Sequence, residues 1–241
     1  MRWGPGGEGE RDGRVGVVVC ATGPLDLRLG DRPLLLWAVA AMEANRSVGA
    51  VVVTVPRGAL DATAKLLADQ GFAKLLATVP GGRTRRASVA AGVAALPAEL
   101  EYVAVHDAAR PLADHGLVDR LLAALHATDS TPACAGVVPA VPVTDTVRRV
   151  GGGGRSAGVV DRALLRAVQT PQLFRRAALE AAHRHALRHG MEATDDATLV
   201  ERAGHPVAVV AGSVENLKVA TPLDLLVAEA LLEQRLRKGS A

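Results

Sequence analysis

The chain has 241 residues, of which 49% are hydrophobic, which suits one domain or one domain with an appendage. Aromatic residues make up 2% and the formal net charge is +3, so a nucleic-acid-binding platform is not expected. No run of about 18 apolar residues exists, and residues 1–14 have no apolar signal region, so we expect a cytoplasmic protein with a disordered tail. Cys20 and Cys134 are far apart and indicate neither a zinc site nor a disulfide framework.

Apolar runs alternate with helical patterns through the first part of the chain. Strands are predicted at 15–20, 50–55, 74–79, 101–105 and 133–139. Helices are predicted at 33–45, 60–70, 86–96 and 117–126. This alternation predicts an α/β fold, a mainly parallel sheet with helices on both faces. Right-handed crossovers would bring the carboxyl ends of the strands to one edge.

The alternation breaks between residues 139 and 160. Two strand-like stretches flank the glycines at 151–154, which predicts a projecting β-hairpin arm. A two-stranded hairpin is marginal in water, so we expect the arm to pack on a second subunit. In the rest of the chain, the pattern predicts helices at 175–189, 195–203 and 222–237, and a strand at 207–210. We therefore expect one domain over 15–241, with 139–160 as its dimerisation arm.

The segment Tyr102–Pro111, YVAVHDAARP, carries the strongest chemical signal. Asp107 follows an apolar strand, at the edge where open α/β sheets bind ligands. One such carboxylate, with substrate phosphates, can hold Mg²⁺, and Arg110 three residues on could meet a phosphate. A strand followed by a surface ion pair explains the same residues equally well.

Other motifs are weaker when they are taken one at a time. The segment 81–89, GGRTRRASV, opens a helix after a strand, which suits anion or carbonyl binding, or else a loop capped by Thr84. Residues 194–197, TDDA, are typical of a helix N-cap, and Lys218 is either a phosphate ligand or a solvated turn lysine.

Together the motifs resemble the 2-C-methyl-D-erythritol 4-phosphate cytidylyltransferase family. The pattern contains, in order, GGxxRxxSV, HDAARP, PVxDT, VDR, TPQ, TDxA and ENLKVxTPxDL, and it extends from about Val15 to Glu233. The resemblance implies a Rossmann-like nucleotidyltransferase fold and a homodimer joined through the arm. It also implies a Mg²⁺-dependent reaction of CTP with methylerythritol phosphate that releases pyrophosphate, on the non-mevalonate route to isoprenoids.

The resemblance also implies roles for individual residues. Asp107 would hold Mg²⁺, Lys218 would stabilise the α-phosphate, and Arg110 would lie near the substrate phosphate. The nucleotide would contact Ala21, Gly23, Gly81, Gly82 and Ser88, with Arg83 where the family often has an acid. The polyol phosphate would contact Thr144, Arg162, Thr170 and Thr194, with Arg162 supplied by the other subunit.

The chain departs from the family after its first strand. The family has a glycine-rich loop close to AAGxGxR and then PKQ, which wraps the triphosphate. Here Gly23 matches the first glycine and Pro24 the later proline, so roughly eight residues are missing by this alignment. The lysine position falls on Leu25 or Asp26, and Arg28 is the nearest cation.

We therefore expect an impaired cytidylyltransferase, because losing one preorganised donor commonly costs about 10²–10³ in kcat. Arg28 or Arg83 could stand in for the missing cations. The alternatives are a catalytically silent dimer with a binding or regulatory role, and an enzyme for another polyol phosphate such as ribitol phosphate.

Overall fold

The computed structural model describes residues 13–23, 25–128 and 133–239. Most of the expected N-terminal tail, residues 1–12, and Pro24 in the first loop lie outside the described residues. Gly13 and Arg14, which we assigned to the tail, contact the body: the Gly13 amide donates to the Arg46 carbonyl at 3.1 Å, and Arg14 pairs with Glu101. The folded body therefore includes these two residues.

Twelve strands and seven α-helices follow one another along the described chain. The strands are β1 (Val15–Cys20), β2 (Arg28–Leu29), β3 (Arg32–Pro33), β4 (Val48–Val55), β5 (Leu75–Pro80), β6 (Tyr102–Asp107), β7 (Gly136–Pro142), β8 (Val147–Val150), β9 (Ser156–Val160), β10 (Arg166–Val168), β11 (Gln172–Arg175) and β12 (Val207–Ala211). The helices are α1 (Leu34–Glu43), α2 (Leu60–Ala68), α3 (Arg85–Ala95), α4 (Leu117–Ala127), α5 (Arg176–Arg188), α6 (Asp196–Arg202) and α7 (Pro222–Arg237).

Eight of the strands form the central sheet. Their order is β10-β7-β11-β6-β1-β4-β5, with β12 also paired to β7. The pairs β1–β4, β1–β6, β4–β5 and β7–β12 are parallel, whereas β10 and β11 run antiparallel to their neighbours. The predicted α/β fold with a mainly parallel sheet is confirmed.

Helices cover both faces of this sheet. Apolar side chains of α1, α2 and α4 share one buried cluster with the odd-numbered residues of β1, such as Val17. Those of α3, α5 and α6 share the other cluster with Val18. Every residue of β1 is buried, as expected of a strand covered on both faces.

Within the segment predicted as the arm, residues 139–142 belong to β7 of the central sheet, whereas β8 and β9 form an antiparallel hairpin over residues 147–160. Gly153 and Gly154 in its turn have φ of 70° and 73°, a region that glycine enters without a Cβ penalty. Large apolar side chains are exposed on and beside the hairpin, among them Val150 at 70% and Leu164 at 83%. Across the part of the chain that the structure describes, no helix is long and apolar enough to cross a membrane.

Candidate active site

The carboxyl ends of three neighbouring parallel strands define the site. Cys20, the last residue of β1, is in register with Thr54 on β4 and with Asp107 on β6. The loops after β1, β5 and β6 therefore open on one edge of the sheet. This is the edge where ligand binding was predicted from the sequence.

Asp107 is held between two cations at this edge. Its Oδ2 accepts a hydrogen bond from Lys218 Nζ at 3.1 Å, and its Oδ1 lies 3.6 Å from Arg85 Nη2. Burial raises the pKa of the Asp107 carboxyl, but the charges of Arg85 and Lys218 outweigh burial, so the pKa lies below its ordinary value. The carboxylate is therefore ionised and oriented, and Lys218, 51% exposed, faces solvent beside it.

A buried hydrogen-bond chain supports Asp107 from behind. The Asp107 amide donates to Thr170 Oγ1 at 3.0 Å, Thr170 Oγ1 lies 3.1 Å from His106 Nδ1, and His106 Nε2 lies 3.1 Å from the Arg110 carbonyl. Because a carbonyl only accepts, His106 carries its proton on Nε2, and Thr170 donates to Nδ1. Burial lowers the pKa of His106 to about 4, in keeping with a neutral ring.

Arg110 lies inside the body rather than on its surface. It is 9% exposed, and its guanidinium donates to the Asn216 carbonyl at 2.7 Å and to the Val168 carbonyl at 3.4 Å. Asn216 in turn donates from Nδ2 to the Thr170 carbonyl at 2.8 Å. These bonds join the loop after β6 to the loop that carries Lys218.

A cleft of about 260 Å³ lies beside this group. Its walls are formed by Ala21, Thr22, Thr54, Val55, Pro56 and residues 81–85 and 88. Gly82 donates from its amide to Ser88 Oγ at 3.1 Å, and a Cβ on Gly82 would lie 2.3 Å from the Ala87 Cβ. Only glycine fits this close approach, and Ala21, Gly81, Gly82 and Ser88 all line the cleft.

The loop after β1 is short and is anchored by apolar contacts. Leu25 packs against the main core cluster, whereas Asp26 is exposed. The loop then forms the β2–β3 ribbon, where Leu29 is fully buried and its carbonyl accepts from Trp37 Nε1 at 3.1 Å. Gly23 and Arg28 are exposed. Pro24, which we aligned with the family's proline, lies outside the described residues.

The remaining predicted contact residues lie on other segments of the described chain. The guanidinium of Arg162, just beyond the arm, donates to the carbonyl of Thr144 on the arm, and both residues are exposed. Thr194 is exposed just before α6, where Asp195 is the N-cap and accepts from the Thr198 amide at 3.1 Å. Within this one chain, the structure brings together Asp107, Thr170 and Lys218, and it joins Thr144 on the arm to Arg162 just beyond it.

No role was predicted from the sequence for Arg85, Asp196 or His183. Arg85 is the arginine of GGxxRxxSV, and besides approaching Asp107 it donates from Nη1 to Asp196 Oδ2 at 2.6 Å. Asp196 also accepts from His183 Nε2 at 2.8 Å. The motif contained Arg85, but no local pattern could reveal a partner 111 positions away.

The donor set at this edge suits a metal that arrives with its substrate. Within the described ranges, no group of three or more His, Cys, Asp or Glu side chains could hold a metal ion. Mg²⁺ is commonly held by one or two carboxylates together with substrate phosphates rather than by an all-protein cage. The single ionised carboxylate of Asp107 fits that arrangement.

Comparisons with known proteins agree on one family. The family model for 2-C-methyl-D-erythritol 4-phosphate cytidylyltransferase matches residues 23–234. The chain is 41% identical over 216 residues to the protein of that name from Acaryochloris marina, covering 90% of this chain and 89% of the relative. It is 42% identical over 245 residues to that from Streptomyces coelicolor, covering 94% and 88%.

Solved structures extend the agreement to the fold. The cytidylyltransferase of that name from Thermus thermophilus matches with a TM-score of 0.75 and 40% identity, over 90% of this chain and 98% of that one. The 4-diphosphocytidyl-2C-methyl-D-erythritol synthase from Anaerococcus prevotii matches with a TM-score of 0.81 and 25% identity, over 91% and 98%. The chain therefore belongs to the 2-C-methyl-D-erythritol 4-phosphate cytidylyltransferase family of nucleotidyltransferases.

Proposed function

We propose that the chain joins CTP to 2-C-methyl-D-erythritol 4-phosphate, forming 4-diphosphocytidyl-2-C-methyl-D-erythritol and pyrophosphate. The observation that carries this proposal is the pair of Asp107 and Lys218 beside a glycine-lined cleft, at the carboxyl edge of the sheet. Relatives about 40% identical over most of the chain are named for this reaction. An ionised carboxylate and an exposed ammonium at one edge are the charges that such chemistry needs.

In the reaction, an oxygen of the acceptor phosphate attacks the α-phosphorus of CTP. The bond from that phosphorus to the bridging oxygen breaks, and its electron pair leaves with pyrophosphate. The protein's contribution is positioning and charge neutralisation, since no covalent intermediate is needed. Lys218, half exposed and paired with Asp107, would turn its ammonium to the α-phosphate. Mg²⁺, held by Asp107, would neutralise charge on the triphosphate.

The cleft residues would hold the nucleoside end of CTP. Gly81 and Gly82 have no side chains, so a ligand can approach their backbone closely. The loop that contains them leads directly into α3. Ser88 supports this loop from inside, because its hydroxyl accepts from Gly82 and donates to the Thr84 carbonyl at 3.0 Å. Ala21 and Gly23 would border the phosphates at the end of β1.

The acceptor would be held by two subunits. Thr144 lies on the arm and Arg162 just beyond it, where Arg162 donates to the Thr144 carbonyl, so we propose that the arm delivers both to a partner's site in a homodimer. Thr194, exposed beside α6, would contact the polyol. Arg110 and Thr170 are buried and form hydrogen bonds to interior groups. We therefore propose that they support Lys218 and Asp107 and do not contact the phosphate directly.

The short first loop supports slow turnover. Of the two positions that align with the family's lysine, Leu25 is partly buried against the core and Asp26 is an exposed acid. Arg28 and Arg83 are exposed and could partly replace the missing positive charge. The proposal is therefore an active enzyme with a weakened hold on the triphosphate.

Pyrophosphate release with CTP, Mg²⁺ and methylerythritol phosphate tests this function. Asp107→Asn and Lys218→Ala should each lower kcat/KM by about 100-fold or more, since each removes a preorganised charge from the reacting centre. Asp114→Asn is the matched control: this exposed aspartate pairs with Arg120 and should leave the rate unchanged. Equal rates in all three variants would show that the edge around Asp107 is not the site.

The second candidate is a catalytically silent dimer, and the shortened loop is the observation that favours it. It predicts no pyrophosphate release and little affinity for CTP, although the dimer persists. Calorimetry that shows micromolar CTP affinity would count against it. Running the release assay with ribitol phosphate in place of methylerythritol phosphate separates the remaining alternative, a different polyol phosphate.

A further inference from the structure

A buried carboxylate outside the predicted site joins three helices. Asp196, the first residue of α6, is 0% exposed and has a charged or polar partner on each oxygen. Oδ1 accepts from His183 Nε2 of α5 at 2.8 Å, and Oδ2 accepts from Arg85 Nη1 of α3 at 2.6 Å. Because an unpaired charge in such a place is strongly destabilising, both contacts are needed to keep this aspartate ionised where it is.

Arg85 connects this carboxylate to the candidate active site. One of its terminal nitrogens, Nη1, is held by Asp196, and the other, Nη2, lies 3.6 Å from Asp107 Oδ1. The guanidinium is planar and rigid, so fixing one end fixes the direction of the other. Lys218 contacts the opposite oxygen of Asp107. Asp107 is thus held from one side by a half-exposed lysine and from the other by an arginine anchored in the interior.

His183 completes the anchor as a hydrogen-bond donor. Its Nε2 donates to Asp196, and its Nδ1 is buried with no hydrogen-bond partner among the residues that the structure describes. A ring with its single proton on Nε2 leaves only an acceptor unpaired, whereas a second proton would leave a buried donor unpaired. The feature that matters to Asp196 is therefore one donor at the position of Nε2.

We propose that Asp196 and His183 are positioning residues for the reaction: they fix Arg85, which orients the Asp107 carboxylate toward the triphosphate and its metal. The proposal rests on the proposed function, because it assigns a supporting group to that site. Neither residue touches a reacting atom, since both act through Arg85. Partners of a metal-binding carboxylate typically change metal affinity or activity by about 10–100-fold when they are removed.

Asp196→Asn tests the proposal in the full-length protein. The amide cannot neutralise Arg85, so kcat should fall about tenfold or more, with Kd for CTP in the presence of Mg²⁺ rising by a similar factor and KM for methylerythritol phosphate little changed. Glu192→Gln is the matched control. It breaks the ion pair between Arg86, next to Arg85, and Glu192, in the segment before α6, and this pair does not contact Asp107. The control should therefore change neither kcat nor Kd for CTP.

His183 provides a second, milder pair of variants in case Asp196→Asn does not fold. His183→Gln can place an amide donor near the position of Nε2 and should retain most of the activity, whereas His183→Phe keeps a ring without a donor and should lose several-fold. A merely structural role would lower stability without separating these two variants in kcat. Equal kcat in both folded variants would overturn the proposal.

A crystal structure of Asp196→Asn or His183→Phe gives a readout that does not depend on turnover. We expect the contact between Arg85 Nη2 and Asp107 Oδ1 to be lost, and an unchanged contact would overturn the proposal. If the wild-type chain shows no pyrophosphate release at all, the proposed function fails, while this structural result still decides whether Asp196 positions Arg85.

Discussion

Asp26 is the side chain whose charge opposes the proposed function most directly. It is exposed near the end of the short loop after β1, at one of the two positions that our alignment gives the family's lysine, whereas Leu25, the other position, is partly buried against the core. Replacing Leu25 with lysine would give up an apolar contact with the core and partly desolvate the new charge, whereas a lysine at the exposed position of Asp26 would do neither. The packing therefore favours Asp26 over Leu25 as the place to restore a cation.

We predict that Asp26→Lys raises kcat/KM for CTP by about tenfold, because it exchanges repulsion of the triphosphate for attraction; one lost donor of this kind costs about 10²–10³. Steady-state pyrophosphate release measures the effect. Asp31→Lys makes the same change of charge at an exposed position in the β2–β3 turn and should have little effect. A gain of the same size in both variants would mean that net charge, rather than the loop position, governs the rate.

We predict that Thr170→Val lowers the free energy of unfolding by about 1–3 kcal/mol, because it leaves the buried His106 Nδ1 without its donor and the Asp107 amide without its acceptor. Thr170→Ser keeps the hydroxyl and should lose much less. Urea unfolding compares the two variants. If valine is tolerated as well as serine, the hydrogen-bond chain does not stabilise this edge.

The chemistry of single residues was only partly predictable from the sequence. The end of an apolar strand was enough to predict Asp107 at the carboxyl edge of the sheet, whereas the residues alone left Lys218 open and only the family resemblance gave it a role there. Arg110 was expected beside the substrate phosphate, but its guanidinium is buried and bonded to main-chain carbonyls. Whether a polar side chain faces a ligand or the interior depends on packing between distant segments, which one sequence does not display.

At the scale of elements, strands and helices with clear periodicity were predicted to within a few residues. The strand at 15–20 was predicted in full, and the helix predicted at 117–126 is Leu117–Ala127. The β2–β3 ribbon and strands β10 and β11, all four residues or shorter, were not predicted. These short strands are defined by the partners they pair with, β11 between β6 and β7 and β2 with β3, so tertiary pairing rather than local pattern determines them.

Asp196 connects three elements, and its charge makes their packing sensitive to acid. Burial raises the pKa of its carboxyl, but the hydrogen bond from His183 and the charge of Arg85 together lower the pKa by more than burial raises it. The folded pKa therefore lies below the unfolded value of about 3.9. This carboxylate therefore contributes stability at every pH above about 3.9, and the contribution is lost as pH falls through the folded pKa.

We predict that Asp196→Asn lowers the free energy of unfolding by about 3 kcal/mol at pH 7, because Arg85 and His183 lose a buried ionised partner. The difference from the wild type should shrink as pH falls below 4, since the wild type then loses the same contribution. Urea unfolding at several pH values from 7 to 3 measures it, with Glu192→Gln as control. A difference that stays constant down to pH 3 would contradict this electrostatic explanation.

At the scale of the whole molecule, the residues proposed to bind the acceptor would form a complete set only in a dimer. Arg162, just beyond the arm, donates to the carbonyl of Thr144 on the arm, while Asp107 and Lys218 lie at the edge of the sheet. Exposed apolar residues on and near the arm, including Val150 and Leu164, are a surface that a second subunit would cover. A homodimer would explain both features.

We predict that the wild-type chain is a dimer at micromolar concentration and that Leu164→Asp shifts it toward monomer. The variant should also lower kcat/KM by about tenfold or more, because the acceptor would lose the contacts supplied by the second subunit. Analytical ultracentrifugation gives the mass. Leu187→Asp, an equally apolar and 66% exposed site on α5, is the control and should remain dimeric. A fully active wild-type monomer would exclude the role proposed for the arm.

The most direct test of the proposed function is the product formed by the wild-type chain. Purified protein at high concentration, supplied with CTP, Mg²⁺ and methylerythritol phosphate, should release pyrophosphate and form 4-diphosphocytidyl-2-C-methyl-D-erythritol, identified by mass spectrometry. We predict slow but definite formation that requires all three additions and disappears in Asp107→Asn. No product from the folded wild-type protein, under conditions where a relative with the full loop is active, would contradict it.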